Sequence, residues 1–175
     1  MMLRKMRLFH KTETGFTLIE IMVSLVITGF IGLGAAMSSA QVLTQTSRNS
    51  DYTTASRNAM NAVYWIGRDA QMAQVISGSA GFPGTSDLIL SWDDWENVSY
   101  NATYSLDDGK LTRTYTVGGL SKDIVVAEYI NSTENMTYCT SDNGTLILKI
   151  TSSVGEGSKV VDVTRIREVT ARPQL

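Results

Sequence analysis

The pattern of apolar and polar positions changes twice along this chain. From Phe16 to Met37 almost every residue is apolar or small, and the single charged residue is Glu20. A helix rises by ~1.5 Å per residue, so this run is just long enough to cross a bilayer core of ~30 Å. The pattern therefore predicts a membrane-spanning helix over residues 16–37.

A second, weaker apolar pattern follows over residues 38–76. Apolar residues recur there at spacings of three and four, which is typical of an amphipathic helix with one face to be covered. No glycine or proline interrupts the chain from Ala35 to Ile66. The sequence therefore predicts that residues 38–76 form a stem helix continuous with the membrane helix. Its apolar positions are Val42, Tyr52, Ala55, Ala59, Val63, Ile66, Ala70 and Ala73.

Beyond a loop rich in glycine and proline at residues 77–86, the apolar residues alternate with period two. This alternation predicts β-strands packed on one face. Asp108-Gly109 and Asp142-Asn143-Gly144 carry the residues that tight hairpin turns require. Residues 77–175 are thus expected to form a β-rich head, and the whole chain an α+β fold with a long N-terminal helix packed on an antiparallel sheet. The expected strands are 88–92, 98–106, 111–117, 124–130, 136–140, 146–150 and 160–169.

Charge adds an orientation to this picture. Four basic side chains precede the apolar run, and such residues keep their end of a membrane helix in the cytoplasm. Without residues 1–15 the side chains sum to 11 basic against 16 acidic, a net charge of -5. An acidic outer domain does not favour nucleic-acid binding. The four basic residues are Arg4, Lys5, Arg7 and Lys11.

Glu20 is the unusual residue of the membrane helix. A carboxylate in hydrocarbon costs ~2.5–3.5 kcal/mol or more, so its presence indicates a function and requires a partner. Gly15 is also unusual, because it lies at the boundary between the polar N-terminus and the apolar run. A plain membrane anchor explains neither residue.

The run Gly15-Phe16-Thr17-Leu18-Ile19-Glu20 resembles the class III signal of type IV prepilins and type II secretion pseudopilins. In that family a membrane aspartyl peptidase cuts after the glycine and methylates the new N-terminus. The resemblance implies that residues 1–15 are a leader, that cleavage falls between Gly15 and Phe16, and that Phe16 is N-methylated. It also implies an assembly role for Glu20, whose carboxylate would neutralise the Phe16 amine of a neighbouring subunit, each charge being unpaired until then. One departure is Thr14, which stands where a basic residue is usual.

The same resemblance implies partners and a location. The partners are a prepilin peptidase and methylase, other pilins or pseudopilins in a helical filament, an inner-membrane assembly platform and membrane lipid. The chain would cross the inner membrane once with its C-terminal domain outside, and then enter a periplasmic or extracellular filament.

Two further features indicate a minor subunit. Residues 65–71 are similar to the end of the stem helix in J-type pseudopilins and their PilW-like pilus relatives. Ala36 and Met37 stand where major pilins often have a helix-breaking proline. The expected function is therefore a structural subunit, more similar to minor than to major ones.

Two alternatives compete with this interpretation. Ser38-Ser39-Ala40 would suit an ordinary signal peptidase, but the apolar run exceeds the usual ~7–15 residues and carries Glu20. The other alternative is a membrane-tethered extracellular binding or adhesion module that uses a pilin-type signal only for sorting.

The sequence offers little chemistry of its own. The only histidine, His10, lies in the expected leader, and no phosphate loop, dinucleotide fingerprint or EF-hand spacing is present. The single cysteine, Cys139, cannot form an internal disulfide and is expected to be a small core residue. Asp93, Asp94 and Glu96 are expected to be solvated turn residues rather than calcium ligands. We therefore expect no enzyme activity, no catalytic residue, no cofactor and no metal.

Overall fold

A computed structural model of the chain describes residues 15–172. The expected leader residues 1–14, including His10, lie outside this range. The described residues form one α-helix, eight β-strands and two short 3-10 turns. The elements are α1 (Leu18–Met72), β1 (Val75–Ser77), β2 (Leu88–Asp93), β3 (Ser99–Asp107), β4 (Lys110–Val117), β5 (Leu120–Ala127), β6 (Tyr138–Asp142), β7 (Thr145–Val154) and β8 (Val161–Thr170).

The chain divides into two compact units, the first ending at Gln45 and the second beginning at Thr46. In the first unit every described residue is exposed. In the second unit one face of α1 is buried, and half of its buried residues are alanine. Short side chains let the helix backbone lie close to the strands it covers. The buried residues of α1 are Ala55, Ala59, Ala62, Val63, Ile66, Gly67, Asp69 and Ala70.

The strands form two antiparallel sheets in the second unit. Strands β1 to β5 form a five-stranded meander in chain order, and β6 to β8 form a three-stranded sheet. An isolated bridge pairs Ile130, in the segment that follows β5, with Ser152 on β7. One apolar cluster contains side chains from α1 and from both sheets. The α+β fold expected from the sequence, a long N-terminal helix packed on antiparallel sheet, is confirmed.

Alternation along the strands places the core on one face of each sheet. Leu88 and Leu90 are buried while Ile89 between them is exposed, and Leu146 and Leu148 flank an exposed Ile147 in the same way. Successive side chains of a strand point to opposite faces, so this alternation gives each sheet one solvated face.

Both predicted tight turns are present. Asp108 and Gly109 have φ of 44° and 72°, and they join the paired residues Asp107 and Lys110. Asn143 and Gly144 have φ of 48° and 78° between Asp142 and Thr145. Two consecutive residues of positive φ make the turn whose twist matches that of the flanking strands.

The end of the helix differs from the sequence prediction. Helix α1 ends at Met72, whereas the stem had been expected to reach residue 76. Residues 75–77 instead pair with β2 as an edge strand, and Ile76 lies opposite Leu90. Val75 and Ile76 are β-branched residues, which suit a strand, and their backbones pair with β2. The sequence pattern did not predict this, because a short apolar pair fits a helix or a strand equally well.

Strand β5 is also shifted from its expected position. It begins at Leu120 and ends at Ala127, although residues 124–130 had been expected. Three of its first four residues, Ser121, Lys122 and Asp123, are polar, so the apolar pattern did not predict this part of the strand. Its end is set by Tyr129, whose φ of 59° turns the backbone out of the strand.

Cys139 lies on β6 and is buried in the apolar cluster. Its thiol donates a hydrogen bond to the backbone oxygen of Ser79 at 3.3 Å. Burial raises the pKa of the Cys139 thiol to about 12. Because the thiolate is the reactive species, this thiol is chemically quiet in the folded chain.

We predict that Cys139 does not react with maleimide or an aromatic disulfide while the chain is folded. Unfolding in denaturant exposes the thiol and returns its pKa to the ordinary range, so the reaction then proceeds at the rate of a free thiol. Mass spectrometry of the labelled chain measures both rates. A Ser132→Cys variant, whose new thiol is on an exposed loop, is the accessible control; equal labelling of the two thiols in the folded chain would contradict the prediction.

Candidate processing and assembly site

Helix α1 begins with a capping box. Thr17 is the N-cap residue, since its backbone oxygen accepts the first helical hydrogen bond from Ile21 at 3.3 Å. The Thr17 hydroxyl oxygen is 3.4 Å from the backbone nitrogen of Glu20. In return, the Glu20 carboxylate oxygen Oε2 accepts from the backbone nitrogen of Thr17 at 3.1 Å and from its hydroxyl at 3.0 Å. The two side chains thus satisfy each other's free backbone donors at the helix start.

The other polar side chains of the apolar run are satisfied within the helix. The Ser24 hydroxyl donates to the backbone oxygen of Glu20, and the Thr28 hydroxyl donates to that of Ser24, both at 2.7 Å. Hydroxyls that bond to the carbonyl one turn earlier need no water. Because hydrocarbon offers no hydrogen-bond partners, this arrangement suits a lipid environment. Within residues 16–37, only the second Glu20 oxygen, Oε1, then lacks a side-chain hydrogen bond.

Large apolar side chains cover all sides of this part of the helix and stay exposed in the first unit. Phe16 is 82% exposed and Leu18 is 77% exposed. Helix α1 is long and apolar enough to cross a membrane, as judged by length and composition. A helix that is apolar all round needs lipid or other protein around it. Other exposed members are Ile19, Ile21, Met22, Val23, Leu25, Val26, Ile27, Phe30, Ile31, Leu33 and Met37.

Gly15 precedes the helix in an exposed, non-helical segment. A Cβ atom added to Gly15 would meet nothing within 4 Å. The peptide bond between Gly15 and Phe16 is therefore open on all sides among the described residues. Such a bond is accessible to a protease without unwinding α1.

The capping box was not predicted from the sequence, and the expected roles of Gly15, Phe16 and Glu20 stay predictions. The Glu20 carboxylate accepts two hydrogen bonds from Thr17 through Oε2, but these donors are neutral, so its pairing with the Phe16 amine of a neighbouring subunit stays a prediction. The signal was present in the sequence: a threonine followed three residues later by glutamate, just before an apolar run, is the capping-box pattern.

Residues 10–36 match the family described as "Prokaryotic N-terminal methylation motif". The chain therefore carries a type IV pilin-like signal. The match covers the capping box and most of the apolar run and ends before the second unit begins. Neither a curated protein nor a solved structure matches the chain. A signal of this kind implies processing by a prepilin peptidase and assembly with other pilins, and it fits a membrane-anchored protein that later enters a filament.

The second unit contains a buried charge at the end of α1. Asp69 has no exposed surface. Its Oδ2 atom accepts from the Tyr104 hydroxyl at 2.5 Å and from Arg113 Nε at 2.6 Å, and its Oδ1 atom accepts from Arg113 Nη2 at 3.2 Å. Tyr104 and Arg113 lie opposite each other on β3 and β4. The three residues therefore join the helix to two strands through one carboxylate.

Aromatic rings enclose the Arg113 guanidinium. Its central carbon lies 4.5 Å from the Tyr115 ring centroid and 5.3 Å from that of Trp65. The Trp65 ring also contacts Arg68, whose central guanidinium carbon lies 4.6 Å from the ring centroid. Cation–π contacts of this kind gain strength where water is excluded.

The pKa values reflect this environment. Burial is the largest cause that raises the pKa of Tyr104, and the neighbouring Asp69 charge raises it further, so the phenol stays protonated as a donor. For Arg113, burial acts to lower the pKa, but hydrogen bonding to Asp69 and its charge outweigh burial, and the net shift is upward. A permanent cation and a permanent donor thus face the carboxylate. The cluster therefore anchors the helix to β3 and β4.

Of the acidic residues here, Asp93 is the last residue of β2, and Asp94 and Glu96 lie in the loop that follows it. Within residues 15–172, no group of three histidine, cysteine or acidic side chains is arranged to hold a metal ion. Trp92 is half-buried and stacks on Tyr100 with ring centroids 5.8 Å apart, whereas Trp95 is exposed. The two tryptophans that flank this loop therefore do not form one patch.

We predict that Asp69→Asn destabilises the chain by ~3–5 kcal/mol, because it leaves the Arg113 charge buried without a counter-charge. Trp65 adjoins this cluster, so its fluorescence reports denaturant unfolding of the chain in detergent. The exposed Asp142→Asn change is the matched control and should shift the free energy of unfolding by less than ~0.5 kcal/mol.

A double variant separates charge burial from loss of contacts. Replacing both partners, as in Asp69→Asn with Arg113→Met, should cost less than the sum of the two single changes. Additive costs, or an Asp69→Asn chain as stable as the original, would show that the ion pair does not hold the helix on the sheet.

Proposed function

We propose that this chain is a structural subunit of a type IV pilus, or of a type II secretion or competence pseudopilus. The observation that carries the proposal is the coincidence of the methylation motif at residues 10–36 with a helix start whose one charged residue is Glu20. An apolar surface exposed on all sides of the helix supports it, since lipid and a filament core both cover such a surface.

In this proposal, prepilin peptidase cleaves between Gly15 and Phe16 and the new Phe16 amine is methylated. The open peptide around Gly15 supports cleavage before the helix. Residues 1–15 are then the leader, residues 16–37 the membrane and filament-core helix, 38–76 the stem region and 77–175 the head. The platform that extracts the subunit from the inner membrane is a further proposed partner.

Glu20 is the proposed assembly residue. The capping box uses Oε2 and leaves Oε1 directed to neither Thr17 group. We infer that Oε1 is the atom that accepts the methylated Phe16 amine of a neighbouring subunit. In a low-dielectric filament core, such a pair is far stronger than in water, and loss of one partner costs ~3–5 kcal/mol.

We predict that Glu20→Gln is cleaved and reaches the membrane but is depleted from filaments. The amide oxygen of glutamine still accepts from Thr17, so the helix cap survives while the negative charge is lost. The matched control is Thr17→Val, which removes the capping hydroxyl but keeps the charge, and it should enter filaments far better than Glu20→Gln. Intact-mass analysis of membranes and of sheared filaments, from cells that make the peptidase, measures processing and incorporation.

Three outcomes separate the possibilities. Glu20→Gln at the original ratio in filaments would remove the assembly role. An uncleaved Glu20→Gln chain would assign Glu20 to recognition by the peptidase. A mature chain that starts anywhere other than Phe16, or normal cleavage of a Gly15→Leu variant, would overturn the processing step and with it the pilin assignment.

The expectation of a minor subunit, of the J-type or PilW-like kind, stays a prediction. Quantitative mass spectrometry of purified filaments tests it, because a minor subunit is present at a small fraction of the most abundant one. The same spectra report the methyl group on Phe16.

A further inference from the structure

A groove of about 350 Å³ lies on the outer side of α1 in the second unit. Tyr52 and Met60 leave more than half of their surface exposed there. Exposed apolar surface beside polar residues is typical of a protein contact. We call this feature the stem groove; its lining is Tyr52, Thr53, Ser56, Arg57, Met60 and Asn61.

Two arginines flank the stem groove without a carboxylate partner. Arg57 is exposed on the groove wall, and Arg165 reaches in from β8 to donate to the Ser56 hydroxyl at 3.0 Å. Across residues 15–172, the ion pairs shorter than 4.0 Å all involve Asp69. Guanidinium groups bind carboxylates well, with two parallel hydrogen bonds where the geometry allows. The groove therefore suits an apolar side chain next to an acidic one.

The loop between β2 and β3 presents such a pair, Trp95 and Glu96, which we call the knob. Trp95 is 89% exposed, and within the described residues the Glu96 carboxylate makes no hydrogen bond or ion pair. No lysine or arginine occurs between Arg68 and Lys110. Neither the loop nor the two strands that it joins, β2 and β3, therefore carries a basic residue to offset the acidic ones. Tryptophan is among the residues that contribute most to binding when an interface buries them.

The knob is held rigidly by Asp94. Its Oδ1 atom accepts from the backbone nitrogens of Val98 at 3.0 Å and Glu96 at 2.8 Å, and its Oδ2 atom accepts from the Tyr100 hydroxyl at 3.1 Å. The hydrogen bond from Val98, the largest cause, holds the pKa of Asp94 below its ordinary value, so the loop keeps this shape at neutral pH. A preformed loop loses little conformational entropy on binding.

The knob cannot reach the stem groove of its own chain. The backbone nitrogen of Asp93 donates to the Gln74 side-chain oxygen at 3.2 Å, which places the loop beside residue 74. The groove at residues 52–61 lies roughly 20–30 Å further back, at ~1.5 Å per helical residue. Contact between the two features therefore requires two copies of the chain.

We propose that the knob of one copy binds the stem groove of a second copy, with Trp95 packed against Tyr52 and Met60 and the Glu96 carboxylate paired with Arg57 and Arg165. The contact joins two different surfaces of the same chain. Such heterologous contacts repeat from copy to copy, and they build open helical filaments wherever the repeated rotation does not close into a ring. This inference rests on the proposed filament function and adds to it a head-to-stem contact in the second unit.

Cross-linking between two full-length copies tests the contact. One copy carries Ser99→Cys at the foot of the knob, and a differently tagged copy carries Asn61→Cys in the groove. Both are produced together in membranes with the peptidase and treated with a short bis-maleimide. We expect a mixed dimer from this pair and little product from the control pair of Ser99→Cys with Thr133→Cys. Equal yields from the two pairs, or a product formed with a protein of another mass, would overturn the proposal.

A charge exchange tests the chemistry of the same contact. Glu96→Arg in the first copy should lower the yield of mixed dimer by at least about fivefold, since it turns attraction into repulsion. Arg57→Glu in the second copy should restore it; Arg57 is exposed, and within residues 15–172 its side chain makes no hydrogen bond or ion pair. Glu168→Arg, an exposed reversal elsewhere in the second unit, is the matched control and should leave the yield unchanged. No loss with Glu96→Arg, or loss without rescue, would overturn the pairing of Glu96 with the arginines.

These results separate the contact from the proposed function. Failure of the cross-link in chains that are cleaved at Gly15 and enter filaments removes only the knob contact. Failure of cleavage and incorporation removes the pilin assignment itself. Overproduction supplies adjacent copies, so the test does not depend on how abundant the subunit is in natural filaments.

Discussion

The buried carboxylate of Asp69 determines how the helix sits on the sheet. A charge with no exposed surface is tolerated only with strong donors, and its donors come from two neighbouring strands. Rotation of α1 about its axis, or a slide by one turn, would separate Asp69 from Tyr104 and Arg113. The alanines that make up half of the buried helix face would tolerate such changes much better, because small apolar side chains fit many arrangements. The packing gives stability, and the buried charge selects one arrangement.

Helix α1 thus has two segments in which polar and apolar side chains are distributed differently around the helix. Over residues 16–37 the hydroxyl groups and one Glu20 oxygen are hydrogen-bonded within the helix, and apolar side chains cover every side. In the second unit the apolar side chains are confined to one face, and polar groups such as Arg57 and Asn61 reach water on the other. The change occurs without a proline or a break in α1. Gly29, Gly32 and Gly34 lie within the continuous helix.

Much of this fold follows from periodicity. The three-to-four spacing around Ala59 and Ile66 predicts the helix and its buried face, and the alternation around Leu88 and Leu146 predicts strands. The exact end of the helix does not follow, because Val75 and Ile76 are equally suited to a helix or an edge strand. The division into two sheets is set by long-range pairing, which local pattern does not contain.

The functional residues, like the fold, follow from the sequence only in part. Gly15, Phe16 and Glu20 are found from a short contiguous motif. The Asp69 cluster is not, since Tyr104 and Arg113 lie 35 and 44 residues away along the chain. In the sequence, Arg113 is one basic residue in an ordinary amphipathic strand. Only the register of β3 against β4 brings it beneath the helix.

The capping box at Thr17 and Glu20 also bears on whether the proposed movement of the helix from lipid to filament can be reversed. A carboxylate that takes its hydrogen bonds from its own helix moves between environments as part of a rigid body. In the proposed function, the helix start then needs no local unfolding when the subunit leaves the lipid or when it returns. A polymer built from such a subunit could be dismantled into the membrane and assembled again from the same pool.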